Sequence, residues 1–251
     1  MDIWAACKDR ISLEPICHEL TRVVESQEQV ATNYLVDSFE EQDIIEQLLE
    51  QSKPSLPSSN RHLHYLLASP FRYPPLQYGS RFSTRHEPSL FYGSHNKTTA
   101  FAETAYYRFL FWLGMSEAPK SGKFTTQHTV FGAKYNSSCG LKLHTYPLSD
   151  YSDHISDPTS YHHSQAIGRA MREFGVEVFE YISARDKDHG INAALFTPDA
   201  LFSAQPTFQE QWLCETNAGM VSFYTYSDGQ VYKYPFNSYC IDGVFPDIES
   251  A

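Results

Sequence analysis

Glu103 is the residue whose surroundings in the sequence most favour a chemical role. It lies in a run of alanine, aromatic and leucine residues between Thr98 and Leu113 that leaves almost no polar face if the run is helical. Its helical neighbours three and four positions away include no cation: Thr99, Ala100, Tyr106 and Tyr107. A carboxylate without a local ion pair needs a partner from elsewhere in the fold or a solvated cleft, and such carboxylates are active-site candidates. The alternative interpretation is a surface glutamate on a partly exposed turn.

Two arginines upstream of Glu103 could bind an anion. Arg72 lies in Pro-Phe-Arg-Tyr-Pro-Pro and Arg81 in Gly-Ser-Arg-Phe-Ser, turn-like or strand-edge sequences in which the backbone can approach a ligand. A guanidinium group binds phosphate oxygens through paired hydrogen bonds. Each arginine taken alone is also typical of a structural or surface position.

The eleven histidines raise the question of a metal site. His62 and His64 would share one face of a strand, and His154 lies near the pair His162-His163. The chain has no HExxH motif and no cysteine at a ligand spacing. We therefore expect exposed or hydrogen-bonded histidines and no metal.

The composition predicts a folded protein whose ligand is not a nucleic acid. Apolar residues make up 41% of the 251 residues and aromatic residues 15%, which excludes a wholly disordered chain. The formal net charge is −11 and there is no run of lysine and arginine, so the chain lacks the basic face that displaces counterions from nucleic-acid phosphates. A small anionic ligand is compatible with this charge, because two or three local arginines can outweigh it.

The sequence predicts a cytoplasmic protein that does not span a membrane. The five cysteines are odd in number and include no CxxC pair, which is typical of reduced thiols. The longest apolar run, around Phe109–Met115, is far shorter than a membrane span. The first residues, MDIWAACKDR, lack the basic-then-apolar order of a signal peptide.

Residues 1–58 are predicted to form an N-terminal helical extension and a linker. One helix is predicted to begin near Pro15 and to run through Leu20 to about Val24. A second helix is predicted behind the capping box Ser38-Phe-Glu-Glu41. The proline- and serine-rich segment 53–60 has the composition of a linker.

Residues 59–251 are predicted to form a second domain, and the chain as a whole is predicted to be of the α+β class. Strands are predicted over 62–68, 89–94, 124–135, 141–146, 176–183, 191–196 and 220–226. Helices are predicted over 96–113 and 162–174, the second ending at Gly175. Strands dominate without a regular strand–helix alternation, which favours a strand-rich α+β core over a doubly wound sheet.

An ordered set of short motifs within residues 61–215 resembles the RES-domain family. Gly79-Ser-Arg-Phe82, Leu90-Phe-Tyr92-Gly93 and Thr99-Ala-Phe-Ala-Glu103 are similar to the arginine, tyrosine and glutamate motifs of that family. Tyr181-Ile-Ser183-Ala-Arg185 and Gly190-Ile-Asn192 resemble its serine strand and its glycine-asparagine strand. Pro70-Phe-Arg72-Tyr73-Pro74 adds an arginine–tyrosine pair, and Gln211–Glu215 extends the similarity. Each motif is weak alone, and the resemblance rests on their order.

The resemblance implies an ADP-ribosyltransferase-like fold that binds NAD⁺ in a cleft as its substrate. It implies catalytic roles for Glu103, Arg81 and Ser183. Glu103 would stabilise the cationic ribose that forms when nicotinamide departs, and the arginines would hold phosphate groups. The resemblance also implies contacts with NAD⁺ from a wider set of residues: Arg72, Tyr73, Arg81, Tyr92, Ser183 and Asn192.

By the same resemblance, residues 59–251 would be an NAD-binding catalytic domain. The implied protein is the toxin of a toxin–antitoxin system, which cleaves the nicotinamide–ribose bond with water or phosphate as acceptor. Its implied partner is an Xre-like helix-turn-helix antitoxin. Two alternatives stay open: a protein ADP-ribosyltransferase that uses the same pocket, and a catalytically inactive module that binds a nucleotide or a peptide.

Overall fold

The computed structural model of the chain describes residues 1–26, 38–54, 60, 62–226 and 229–247. In these ranges eight strands form one sheet: β1 Glu14–Glu25, β2 Phe91–Ser94, β3 Lys123–Lys142, β4 Val178–Ile182, β5 Ile191–Leu195, β6 Gln209–Asn217, β7 Met220–Tyr224 and β8 Val231–Pro235. Six α-helices accompany them: α1 Ile3–Cys7, α2 Phe39–Ser52, α3 Tyr65–Arg72, α4 Lys97–Leu113, α5 Ser152–Ile155 and α6 His162–Phe174. This strand-rich arrangement confirms the predicted α+β class.

The sheet runs in the order β1-β2-β5-β4-β3-β6-β7-β8, and β1 also pairs with β3. The first five of these strands therefore close into a ring of hydrogen-bonded strands, and β6, β7 and β8 extend outward from β3. Neighbouring strands are antiparallel except β3 and β4. The length of β3 makes this possible, because residues 123–131 pair with β6 while residues 128–140 pair with β1.

Helix α4 is the main helical element of the core, as its apolar sequence predicts. Asn96 caps its N-terminus by accepting a hydrogen bond of 2.8 Å from the backbone N–H of Thr99, and Gly114 follows its last residue. Phe101 is fully buried and stacks on Phe223 of β7 with ring centroids 4.4 Å apart. Burying one such ring contributes about 1.5–3 kcal/mol to folding. The helix that carries Glu103 is thus fixed by its aromatic face.

The start of α4 is tied to the strand that faces Glu103. The backbone N–H of His95 donates to the carbonyl of Ile191, so the β2–β5 ladder continues up to the first turn of the helix. The hydroxyl of Thr99 donates to Asp186 at 2.6 Å, which attaches the same turn to the loop between β4 and β5. These contacts set the position of α4 against the ends of β4 and β5.

The helix predicted near Pro15 is wrong, because residues 14–25 form strand β1. This strand pairs with β3 from Glu14 opposite Gly140 to Glu25 opposite His128, and it buries Leu20 completely. A short apolar run is compatible with both a helix and a strand. Here the segment is a strand because it pairs along the edge of the long strand β3. Residues 14–25 therefore belong to the same sheet as the later strands, while the division of the chain at residue 58 stays a prediction.

The other predicted helices and strands agree with the structure only in part. The second N-terminal helix is confirmed as α2, with Ser38 Oγ accepting from the N–H of Glu41 at 3.2 Å. The strand predicted over 62–68 is wrong, because Tyr65–Arg72 form helix α3, in which Leu66, Leu67 and Ala68 are buried. The strand predicted over 124–135 is part of the longer strand β3, which ends at Lys142, so residues 143–146 of the strand predicted over 141–146 are not in a strand. The strands β6 and β8 were not predicted.

The second predicted helix of the core is confirmed as α6, which ends at Gly175 in the left-handed conformation (φ 85°). In the part of the chain that the structure describes, no helix has both the length and the apolar character needed to cross a membrane.

Candidate functional site

The carboxylate of Glu103 is held by two neutral donors that come from other elements. Its Oε1 accepts a hydrogen bond of 2.6 Å from Ser183 Oγ and another of 2.6 Å from Asn192 Nδ2. No described residue donates to Oε2, the second carboxylate oxygen. The partner that the sequence required from elsewhere in the fold is therefore a hydroxyl and an amide rather than a cation. One oxygen is fixed, and the other remains for a ligand.

Ser183 can direct its proton only towards Glu103. Its side chain is buried, and its Oγ already accepts hydrogen bonds from the backbone N–H groups of Arg185 (3.1 Å) and Asp186 (3.0 Å). A hydroxyl has one proton, so with its acceptor positions occupied it acts as the donor to the carboxylate. Ser183 follows β4 directly, and its own N–H is bound by the carbonyl of Gly190.

Asn192 is oriented by its neighbour on the adjacent strand. It lies on β5 opposite Ser94 of β2, and its Oδ1 accepts from Ser94 Oγ at 2.6 Å. This contact leaves the amide nitrogen to face Glu103. Both donors to the carboxylate are thus themselves fixed by further hydrogen bonds, which restricts the rotamer of Glu103.

Glu103 lines a cleft of about 570 Å³, and four of the predicted site residues share its wall: Arg81, Tyr92, Glu103 and Asn192. Ser183 is not among the lining residues and lies behind Glu103, buried. Its place in the structure is that of a positioning residue. The contact between Ser183 and a ligand that the resemblance implies stays a prediction.

Arg81 is buried against the wall of this cleft. Its Nη1 donates to the backbone carbonyl of Asp157 at 2.8 Å, and its guanidinium lies over the ring of Tyr161 at 4.8 Å from the ring centre. No described carboxylate forms an ion pair with Arg81. A guanidinium held by a carbonyl and an aromatic ring keeps donors for an anionic ligand.

Tyr92 links the arginine segment to strand β2. Its hydroxyl contacts Ser80 Oγ at 2.9 Å and accepts from the backbone N–H of Phe82 at 3.2 Å. Burial raises the pKa of Tyr92 to about 12, so its hydroxyl is neutral at physiological pH. The structure therefore places Arg81 between two residues that Tyr92 holds, next to the cleft.

The arginine–tyrosine pair at 72–73 lies apart from Glu103. Arg72 is the last residue of α3 and donates through Nε to the carbonyl of Pro54 at 2.5 Å. It lines neither the cleft of Glu103 nor a second cavity that adjoins the cleft. Tyr73 lines this second cavity, which has a volume of about 390 Å³. The residues shared by the two cavities are Arg22, Glu25, Leu76, Ser80 and Tyr92, so the cavities adjoin each other.

Several lining residues were not predicted. Arg22 comes from β1, the segment predicted to be a helix, and Tyr161 precedes α6. Arg108 lies on α4, where its Nη1 binds Glu25 at 2.8 Å. Arg108 is a cation within the same apolar run as Glu103, so the sequence alone could have marked it as a candidate site residue. Nothing in the sequence distinguishes Tyr161 from the other tyrosines.

His128 lies on β3 at the wall of the cleft, next to Arg108. Burial, with a smaller contribution from Arg108, lowers the pKa of His128 to about 4. Its Nε2 contacts Thr126 Oγ1 at 2.9 Å. His128 is therefore neutral at physiological pH and adds no charge to the site, which leaves the arginines as its cations.

Comparison with known families agrees with the motifs in this site. The family model described as the RES domain matches residues 57–216, which is more than half of the chain and includes Arg81, Tyr92, Glu103, Ser183 and Asn192. No curated protein matches the chain. The ordered motifs, their convergence on one cleft and this match lead to one conclusion: the chain belongs to the RES-domain family.

Proposed function

We propose that this protein degrades NAD⁺ by cleaving the bond between nicotinamide and ribose, with water or inorganic phosphate as acceptor. The observation that carries the proposal is the carboxylate of Glu103, fixed through one oxygen by Ser183 and Asn192 at the wall of a cleft that also holds Arg81. A fixed carboxylate next to a cationic anion site suits a substrate that carries both a ribose and a pyrophosphate.

The proposed reaction breaks one bond and forms another at the anomeric carbon of the ribose. The bonding electrons leave with the ring nitrogen, so nicotinamide departs neutral and the positive charge passes to the ribose. Glu103 Oε2 would stabilise this oxocarbenium-like ribose or bind one of its hydroxyls. The oxygen of water or phosphate then bonds to the anomeric carbon, and any proton that it carries is released to solvent.

The remaining site residues support this chemistry in defined ways. Arg81 would hold a phosphate group, and the ring of Tyr92 would contact the ribose or the nicotinamide. Ser183 and Asn192 would act through Glu103. Arg72 lines neither cavity, which argues against a direct contact with NAD⁺ in this conformation. Tyr73 could reach a ligand only through the second cavity.

Replacing Glu103 tests the proposal. Purified protein is incubated with NAD⁺, with and without phosphate, and the products are separated by chromatography and identified by mass. Wild type should release nicotinamide together with ADP-ribose, or with its 1-phosphate when phosphate is the acceptor. Glu103→Gln and Glu103→Ala should lose this activity by at least about a thousand-fold while they still fold, as a cooperative thermal unfolding transition checks.

Glu173→Gln is the matched control, because Glu173 is an exposed carboxylate on α6 that lines neither cavity. It should retain full activity. Turnover by Glu103→Gln close to that of wild type would remove the assignment. A wild-type protein that binds NAD⁺ without consuming it would indicate the inactive binding module instead.

One observation favours the protein ADP-ribosyltransferase as a second candidate. Large apolar side chains at the wall of the cleft are more than half exposed, namely Leu76 (76%), Tyr107 (54%) and Phe111 (55%). An exposed apolar rim is typical of a surface that meets another protein. Mass spectrometry of proteins incubated with the enzyme and NAD⁺ distinguishes the two: a transferase leaves ADP-ribose attached to protein, and an NAD⁺-degrading enzyme does not.

The same rim bears on the proposed biological role as a toxin. A helix-turn-helix antitoxin that covered these side chains would exclude NAD⁺ from the cleft. Co-expression with the cognate antitoxin should then suppress NAD⁺ loss, and Glu103→Ala should remove growth inhibition in its absence.

A further inference from the structure

Arg22 occupies a distinctive place in the two-part site. It lies on β1, outside residues 57–216 that match the family model. It lines both the cleft of Glu103 and the second cavity, and it is the only lysine or arginine among the lining residues that the two share. The position is therefore the junction between the two spaces.

The guanidinium of Arg22 has no counter-ion in the described part of the chain. Its Nη1 donates to the backbone carbonyl of Tyr92 at 2.5 Å, and the group lies over the ring of Phe91 at 5.1 Å from the ring centre. Its Nε is buried without any hydrogen-bond partner among the described residues. Glu25, the β1 carboxylate that lines the same two cavities, binds Arg108 instead.

The surroundings of the Arg22 guanidinium are energetically unfavourable without a bound anion. Burial lowers the pKa of Arg22 to about 10, so the group remains charged at neutral pH. A partly buried cation without a counter-ion and a buried N–H without an acceptor are both unfavourable. A phosphate group bound in the cavity would supply the missing negative charge, since guanidinium groups bind phosphate through paired donors.

The two spaces that meet at Arg22 differ in chemistry. The larger cleft contains Glu103 and Arg81. The second cavity has no other lysine or arginine, and rings form much of its wall: Tyr65, Pro70, Tyr73, Pro74 and Pro75. Such a wall suits a flat, apolar group such as a nucleobase. A ligand that filled both spaces would carry its anionic link at Arg22.

We propose that Arg22 binds a phosphate group in the middle of a dinucleotide that spans both cavities, so that strand β1 is part of the substrate site. This inference rests on the proposed function for the identity of the substrate. The ribose next to nicotinamide would lie at Glu103, the other nucleoside would lie among the rings of the second cavity, and Arg81 would serve the phosphate nearer to Glu103. The N-terminal strand would then contribute to recognition as well as to folding.

The test measures binding without turnover. In a Glu103→Gln background, calorimetry gives the dissociation constants of ADP-ribose, which contains the diphosphate, and of nicotinamide riboside, which contains no phosphate. Arg22→Gln should weaken binding of ADP-ribose by about ten- to one-hundred-fold, as expected for the loss of a hydrogen-bonded charge. Binding of nicotinamide riboside should change by less than about two-fold.

Two further variants complete the test. Arg22→Lys keeps the charge and loses the paired donors, so its affinity for ADP-ribose should be intermediate; it decides the outcome if Arg22→Gln does not fold. Arg169→Gln is the matched control, because Arg169 is an exposed arginine on α6 that lines neither cavity. It should bind both ligands as the background protein does.

The outcomes separate this inference from the proposed reaction. Unchanged affinity for ADP-ribose in folded Arg22→Gln, an equal loss for both ligands, or no binding of ADP-ribose at all would overturn the role of Arg22. NAD⁺ consumption by the wild type with an unaltered KM in Arg22→Gln would overturn it while the reaction stands. Binding of ADP-ribose that depends on Arg22, in a protein that does not consume NAD⁺, would support the phosphate site and reject the reaction.

Discussion

Ser183 donates a hydrogen bond of 2.6 Å to Glu103 although the two residues are 80 positions apart in the sequence. Because the Ser183 hydroxyl oxygen also accepts hydrogen bonds from two backbone N–H groups, its proton can point only towards Glu103. The bond fixes a carboxylate that its own helix could not stabilise. The geometry of the candidate site therefore depends on how the loop after β4 meets α4.

Ser183→Ala should lower kcat for NAD⁺ by about ten- to one-hundred-fold and leave KM nearly unchanged. The variant removes a donor that holds Glu103, whereas Ser183 does not line the cleft. Steady-state kinetics of nicotinamide release give both constants. A rise in KM at constant kcat would contradict the positioning role and indicate direct contact with the substrate.

Ser137→Ala is the matched control for this prediction. Ser137 is also buried, donates to a glutamate (Glu177) at 2.6 Å and accepts from a backbone N–H, that of Cys139, yet it lines neither cavity. Its replacement should lower the free energy of unfolding by about 1–3 kcal/mol with no effect on kcat.

Gly168→Ala should impair the site through the backbone next to Arg81. Gly168 lies on α6, and a Cβ at this position would overlap the carbonyl oxygen of Phe82. Because Phe82 follows Arg81, the overlap would displace the arginine, lower kcat/KM and destabilise the fold by about 1–3 kcal/mol. Kinetics and thermal unfolding measure the two effects. In Gly114→Ala, a Cβ would meet its nearest atom at an ordinary 3.4 Å, so this control should change little.

His128 should make the stability of the protein depend on pH in the acidic range. Burial lowers its pKa in the folded state to about 4 from the ordinary value of 6.5. Between these values the unfolded chain takes up the proton before the folded one, so the free energy of unfolding falls as the pH falls. The slope from this group is at most about 1.4 kcal/mol per pH unit.

Denaturant unfolding from about pH 7 to about pH 4 tests this sign. Relative to wild type, His128→Gln should gain stability as the pH falls, because it has lost the group whose protonation favours unfolding. His162→Gln, which replaces an exposed histidine on α6, should follow the wild-type curve. A constant difference between wild type and His128→Gln across this range would contradict the assignment.

Elements with strong local signals were predictable. The cap at Asn96 and the apolar run after it define α4, and Gly175 defines the end of α6. The apolar spacing from Pro15 to about Val24 predicts a helix but also fits a strand, and only the pairing with β3 makes it part of strand β1. Arg22 could not be placed in a site before that pairing was known.

The amino-acid sequence by itself determined the α+β class, the family resemblance in its ordered motifs, and the need of Glu103 for a distant partner. These properties depend on local composition, capping and spacing. The tertiary structure alone decided which groups met that need, put Ser183 behind the carboxylate, kept Arg72 out of the cleft and brought Arg22 and Arg108 to its wall. The physical reason is that strand pairing and the contact between a loop and a helix join residues far apart in the chain, and no local pattern encodes such contacts.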